Sequence, residues 1–362
     1  MKFIIITKQE LHKIPPLISV AYILNDLGYK VHIISCGTTP RIKEELKKRQ
    51  IDSEEYPLVS SKGRLKKLYQ YIVFRRVVKR RLEQLTFDYL WIEAGYTIRS
   101  LGTFFTKYKF ILQMSELHED SPAMIRAISK VIHQASLVFM PEYNRAFMYK
   151  GWFHLTNLPV VLPNKPYYIP TASDLIGLQH KYEDLVNIFM TFKVILYQGL
   201  ITPDRDLTSF SKAVYELGTD YKFVLMGTDY GLVEKYRIVN PDLLHIDFIT
   251  PPDYLLFTSL CHMGIICYDS SILNNAFCAP NKIYEYSAFG KPVLGNNIPG
   301  LKVLEDMRFG KVVDENNAES IMTAIKDIEK AYSDYSESAG LFYSKCDNKI
   351  TISKAIETLY HN

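Results

Sequence analysis

Lys282 and Glu285 stand three positions apart in Pro280-Asn281-Lys282-Ile283-Tyr284-Glu285-Tyr286-Ser287-Ala288-Phe289-Gly290. The segment predicts a short helix: Pro280 ends what precedes it, Asn281 caps the first turn, and Gly290 supplies a left-handed exit before Lys291-Pro292. Unpaired N–H groups at a helix start carry partial positive charge, and Lys282 adds a full one, so phosphate is a natural occupant. Glu285, flanked by Ile283, Tyr284, Tyr286 and Ala288, is better suited to accepting hydrogen bonds from vicinal hydroxyls such as those of a ribose. A cation for phosphate beside a carboxylate for ribose describes a nucleotide site.

A second segment, Ile195-Leu196-Tyr197-Gln198-Gly199-Leu200-Ile201-Thr202-Pro203-Asp204-Arg205, reads as an apolar strand, a glycine turn and a cation ahead of a helix. Between the two segments lie further buried strands, Phe223–Thr228, which ends on Gly227 and Thr228, and His262–Tyr268. Together these stretches resemble the donor-binding region of GT-B glycosyltransferases, in particular glycosyltransferase family 4 (group 1). The resemblance implies two Rossmann-like, doubly wound α/β domains facing a central cleft. It also implies a nucleotide-sugar as donor substrate, with no cofactor and no metal. By that likeness Glu285 holds the ribose, Gly199 admits the diphosphate, and Arg205 and Lys282 neutralise it, with Gly227, Thr228 and Asn281 lining the same site. The chain also departs from the pattern. Leu200 replaces an arginine common after the glycine, Phe277 stands eight positions before Glu285 where retaining relatives carry a second glutamate, and Thr7–Lys13 lacks the usual glycine-rich turn. Retention or inversion is therefore left unassigned.

These residues need two scaffolds. A chain of 362 residues exceeds what one core usually organises, and 48% hydrophobic with 13% aromatic content supplies two. Apolar strands Phe3–Ile6, Val31–Ile34, Tyr89–Ile92, Phe110–Leu112 and Leu137–Met140 alternate with helical stretches, which predicts parallel sheets covered on both faces. The expected domains are 1–165 for the acceptor and 190–340 for the donor. A linker runs from about 163 to 192, and 341–362 forms a terminal segment whose helix, as in GT-B proteins, crosses back to the first domain.

Ligands of open α/β sheets bind beyond the carboxyl ends of the strands. After Phe110–Leu112 comes Gln113-Met114-Ser115-Glu116-Leu117-His118-Glu119-Asp120, ahead of a helix expected from Met124 to Ala135 with Asp120 or Ser121 as cap. His118 could take a proton from an acceptor hydroxyl or bind the donor sugar, and Glu116 could be the base or orient the histidine.

Nine Lys and Arg, and no acidic residue, lie between Lys62 and Arg81. Leu65, Leu68, Tyr69, Ile72, Val73 and Val77 fall on one helical face, expected to pack on the domain, while Arg75, Arg76, Lys79 and Arg80 are expected to meet phosphate of anionic lipid or of a lipid-linked acceptor. A net charge of +4 without a nucleic-acid-binding motif excludes that partner class. Cysteines 36, 261, 267, 278 and 346 show no metal or redox spacing, and no apolar run approaches a membrane span. The expected place is the cytoplasm, at the inner face of the cell membrane. The expected acceptor is a lipid-linked saccharide of bacterial surface polysaccharide synthesis. Two rivals share the site: an epimerase of the same fold and a noncatalytic nucleotide-sugar binder.

Overall fold

A computed structural model of the chain describes residues 1–56 and 63–360. The backbone divides into two units, Met1–Tyr167 with Asp347–Asn362, and Tyr168–Cys346.

The first unit is built on seven strands: β1 (Lys2–Ile6), β2 (Lys30–Ser35), β3 (Asp52–Glu55), β4 (Tyr89–Glu93), β5 (Phe110–Gln113), β6 (Leu137–Met140) and β7 (Val160–Val161). Every pairing is parallel, in the order β3-β2-β1-β4-β5-β6-β7. The order reverses between β1 and β4, whose carboxyl ends therefore flank the crevice where ligands of such sheets sit. Phe3, Ile5, Trp91, Ile111 and Phe139 form one core with Leu17, Val20 and Leu24 of the Pro15–Asp26 helix. Ile352, Ala355 and Ile356 of the Asn348–Glu357 helix join that core.

The second unit holds β8 (Lys193–Gln198), β9 (Tyr221–Met226), β10 (Leu244–Ile246), β11 (Met263–Ile266), β12 (Val293–Asn296) and β13 (Gly310–Val313), all parallel, ordered β10-β9-β8-β11-β12-β13. Here the reversal falls between β8 and β11. Strands buried on both faces explain the unbroken apolar runs, since helices cover each side of a parallel sheet.

Several expectations are corrected. In the stretch expected as linker, Ala172–Gln179 and Glu183–Thr191 are helices, and Leu175 and Phe189 enter the second unit's core. The helix after β5 is only Pro122–Ser129, and Ser121 makes no side-chain cap. The basic helix, Arg64–Leu82, turns a different face inward from the one expected: Tyr71, Phe74, Val78 and Leu82 are buried, whereas Leu68, Tyr69 and Ile72 are exposed. Both stripes have helical spacing, and the inward one carries two aromatic rings with more area to remove from water. Lys62 lies outside the described residues.

Candidate functional site

In the second unit, the residues expected to bind donor line one pocket of about 380 Å³, within the usual size of small-molecule sites (~300–1,000 Å³). Gly199, Arg205, Gly227, Thr228, Asn281, Lys282 and Glu285 all contribute, joined by Gln198, Phe248 and Tyr254. Local backbone demands explain its floor. Gly199 follows β8 at φ 141°, and Gly227 follows β9 at φ 146°. A Cβ on Gly227 would overlap the carbonyl oxygen of Gly199, so the two turns touch only because neither carries a side chain. His245 Nε2 lies 2.8 Å from the Gly227 carbonyl and steadies the second turn.

Two cations converge over this floor. A Cβ on Gly199 would meet Lys282 Nζ at 3.0 Å and Arg205 Nη1 at 3.8 Å. Among the described residues, no carboxylate lies within ion-pair distance of Lys282. Arg205 stacks over the Tyr268 ring at 4.8 Å, and its buried Nε has no hydrogen-bond partner. Although Lys282 is half-buried as a residue, desolvation of its ammonium pushes the pKa below the ordinary value, opposed by Glu285 and reinforced by Arg205. Asp204 Oδ2 offsets only the Arg205 Nε edge, at 3.6 Å, so two like charges side by side, one of them without an ion pair among the described residues, make a site that an anion would relax.

Glu285 is 8% exposed, and both its oxygens are braced. Oε2 accepts from Gln198 Nε2 at 2.6 Å and Oε1 from the Tyr254 hydroxyl at 2.7 Å, while Thr258 Oγ1 donates to Gln198 Oε1 at 2.7 Å. Burial raises the Glu285 pKa against the pull of Lys282, Tyr254 and Gln198. Each oxygen keeps a lone pair for a ligand hydroxyl. Asn281 sits at the N-cap of the Lys282–Ala288 helix but makes no side-chain cap; its carbonyl accepts from Tyr284 and Glu285 instead. The capping role assigned to its side chain is thus corrected. Gln198, Tyr254 and Thr258 escape sequence reading because neutral hydrogen-bonding residues in apolar segments carry no pattern.

In the first unit, Glu116 and His118 follow β5 as expected. Tyr149 donates its hydroxyl to the carbonyls of Glu116 and Leu117, and buried Arg145 donates to the Ser115 carbonyl at 2.7 Å and lies 3.6 Å from the Glu116 carboxylate. His118 has φ 62°, a left-handed conformation uncommon for a non-glycine residue. Burial lowers its pKa, against Glu116, Asp120 and Glu119, so the imidazole is kept neutral and able to accept a proton.

Sequence reasoning does not single out Glu93. It ends β4 at the reversal of strand order, is 3% exposed, and accepts from Thr7 Oγ1 at 3.2 Å, Thr97 Oγ1 at 3.0 Å and Gln9 Nε2 at 3.4 Å. Burial pushes its pKa up to about 7, the three donors opposing and Glu116 adding to the rise. The available signal is a charged residue closing the otherwise apolar run Tyr89-Leu90-Trp91-Ile92-Glu93.

The four cations singled out on the Arg64–Leu82 helix differ in their surroundings. Arg75 Nε donates to the Ser100 carbonyl at 2.8 Å, which holds that edge of the exposed guanidinium on the fold. Arg76, Lys79 and Arg80 remain exposed. Among the described residues no helix is long and apolar enough to cross a membrane.

No protein-family profile and no curated protein sequence matches the chain. Solved structures do. HepE of Anabaena, solved with UDP, superposes with a TM-score of 0.75 at 14% identity over 100% of both chains, and the same protein has been solved with UDP-glucose. The chain has the GT-B fold. A glycosyltransferase of Rickettsia africae gives 0.71 at 17% identity, covering 99% of this chain and 97% of the other. The UDP-GlcNAc 2-epimerase of Neisseria meningitidis, bound to UDP-GlcNAc, gives 0.68 at 15% identity, covering 99% and 100%. At these identities the likeness carries the architecture, and function must be argued from the GT-B frame and its side chains.

Proposed function

We propose that the protein is a glycosyltransferase, resembling family 4, that moves a sugar from a nucleotide-sugar to a hydroxyl of a lipid-linked saccharide at the cytoplasmic face of a bacterial membrane. The observation that carries the reading is the convergence of Lys282 and Arg205 on the Gly199 turn, beside a braced Glu285. In this reading the diphosphate lies against the two cations and the ribose hydroxyls donate to Glu285. The bond from the anomeric carbon to the diphosphate oxygen breaks and a bond to the acceptor oxygen forms. The acceptor's proton leaves to a base, and nucleoside diphosphate departs. Preorganised cations stabilise the charge developing on the leaving group, each worth ~3 kcal/mol when well placed. No bound metal or cofactor is invoked. His118, Glu116 and Glu93 are the first unit's candidates for the proton.

The neighbours solved with UDP and UDP-sugars favour uridine as the carrier. A thermal-shift series with UDP, GDP, ADP and CMP checks this: UDP should raise the unfolding temperature most, by mass action on the native state. No shift with any of the four would sink the donor site. The epimerase among the neighbours supports a second reading on the same pocket. Incubating the protein with UDP-sugars and no acceptor separates them, because only an epimerase would accumulate an epimerised sugar nucleotide.

A further inference from the structure

The Arg64–Leu82 helix has two opposed stripes. Tyr71, Phe74, Val78 and Leu82 recur at three and four positions and are buried. On the other side Leu68, Tyr69, Ile72, Arg76, Lys79 and Arg80 recur with the same periodicity, so they form one continuous outward face. Its first half is apolar: Leu68 is 55%, Tyr69 67% and Ile72 40% exposed. Its second half is cationic, and among the described residues none of the three cations has an ion pair. The remaining cations of this half are bonded to the protein, Arg75 through its Nε to the Ser100 carbonyl and Arg81 to Glu54. An ordinary surface helix is polar on its outer side; this one offers hydrocarbon and positive charge in sequence.

We infer that this outward face docks on an anionic lipid bilayer, Leu68, Tyr69 and Ile72 entering the headgroup boundary while Arg76, Lys79 and Arg80 rest on lipid phosphates. Charge and apolarity together select that occupant. A nucleic acid would satisfy the cations but offer no hydrocarbon. A second copy of the face, related by a two-fold axis, would bring two sets of three unpaired cations into one interface. A bilayer supplies both chemistries at once: amphipathic helices with basic residues lie in the interface plane, tyrosine favours that depth, and cations gain from anionic headgroups. Docking builds on the transferase reading by holding the first unit where a lipid-linked acceptor lies, yet it is measured without turnover.

Flotation of the full chain with phosphatidylcholine vesicles, and with vesicles in which about one third is phosphatidylglycerol, tests it. The wild type should float with the anionic vesicles and not with phosphatidylcholine alone. Arg76→Glu/Lys79→Glu/Arg80→Glu should weaken binding by more than tenfold. Leu68→Ser/Tyr69→Ser/Ile72→Ser should weaken it by about tenfold and leave a residual binding abolished by about 0.5 M salt, since only screened charge remains. Tyr69→Trp, which leaves the buried stripe untouched, should gain a blue-shifted emission on anionic vesicles relative to wild type. No flotation at low salt, either triple variant floating like wild type, or an emission from the introduced indole that stays water-like would overturn the inference. So would a wild-type dimer that the serine variant dissolves. A UDP thermal shift on the same preparations keeps failure of docking distinct from failure of the donor site.

Discussion

The carboxyl ends of the two sheets have the same architecture and opposite electrostatics. In the second unit, beyond β8 and β9, Lys282 and Arg205 stand over glycine turns, Arg205 with Asp204 3.6 Å from its Nε and Lys282 with no ion pair among the described residues, and Glu285 is braced by Gln198 and Tyr254. In the first, the end of β4 buries Glu93 among hydroxyl and amide donors, and the end of β5 carries Glu116, His118, Glu119 and Asp120. One end is shaped for an anion and the other for hydroxyls and their protons. Both stored electrostatic costs arise from burial of a charge, and both are relieved differently: by a ligand in one case, by a proton in the other.

The largest break is expected at Gly227→Ala. A methyl group there runs into the Gly199 carbonyl, backbone against backbone, so one turn must move. Overpacking of this kind costs about 3 kcal/mol, and the displaced floor should abolish the UDP thermal shift. Retention of the shift with an unchanged unfolding temperature would show that the contact between the turns is not needed.

Lys282→Met and Arg205→Ala sharpen the anion side. Each should cut sugar transfer by roughly a hundredfold, the scale of losing one preorganised donor. Without ligand, Lys282→Met should be as stable as wild type or slightly more so, because it removes a desolvated ammonium next to another cation. A variant that lost stability along with activity would assign Lys282 a structural role instead.

Where the two regions differ in legibility, the reason is physical. The strands β1, β4, β8, β9 and β11 are readable because burial on both faces demands unbroken apolar runs, and Gly199, Lys282 and Glu285 are readable because backbone and charge demands leave few alternatives. β3 is Asp-Ser-Glu-Glu, an edge strand whose Glu54 is neutralised by Arg81 and paired with His32, contacts that no local pattern discloses. β7 and β10 are too short to show periodicity, and Gly310 and Lys311 break the apolar run of β13. The inward face of the Arg64–Leu82 helix differs from the expected one because two stripes satisfy the same spacing and only the packed neighbours choose between them. Strand order is likewise set by tertiary pairing, and Glu93 gains its meaning only from that order.

Glu93→Gln isolates the proton side with the smallest expected effect. The amide keeps an acceptor for Thr7 and Thr97, so shape and most hydrogen bonds survive. In the folded wild type the carboxyl pKa is raised from 4.5 to about 7, so the native state holds a proton that the unfolded chain releases. Stability therefore falls as pH rises from about 4.5 to about 7, and the cost is fully present above that window. At 1.36 kcal/mol per unit, the change between about pH 5.5 and about pH 7.5 is on the order of 2 kcal/mol. The variant lacks this slope, so its advantage over wild type in unfolding temperature should be a few degrees larger at the higher pH. Other carboxylates titrate alike in both proteins and cancel in the difference. Parallel profiles for the two would mean that Glu93 stays ionised throughout, its three donors outweighing burial, and the contrast with the cationic pocket would then rest on His118 and Glu116 alone.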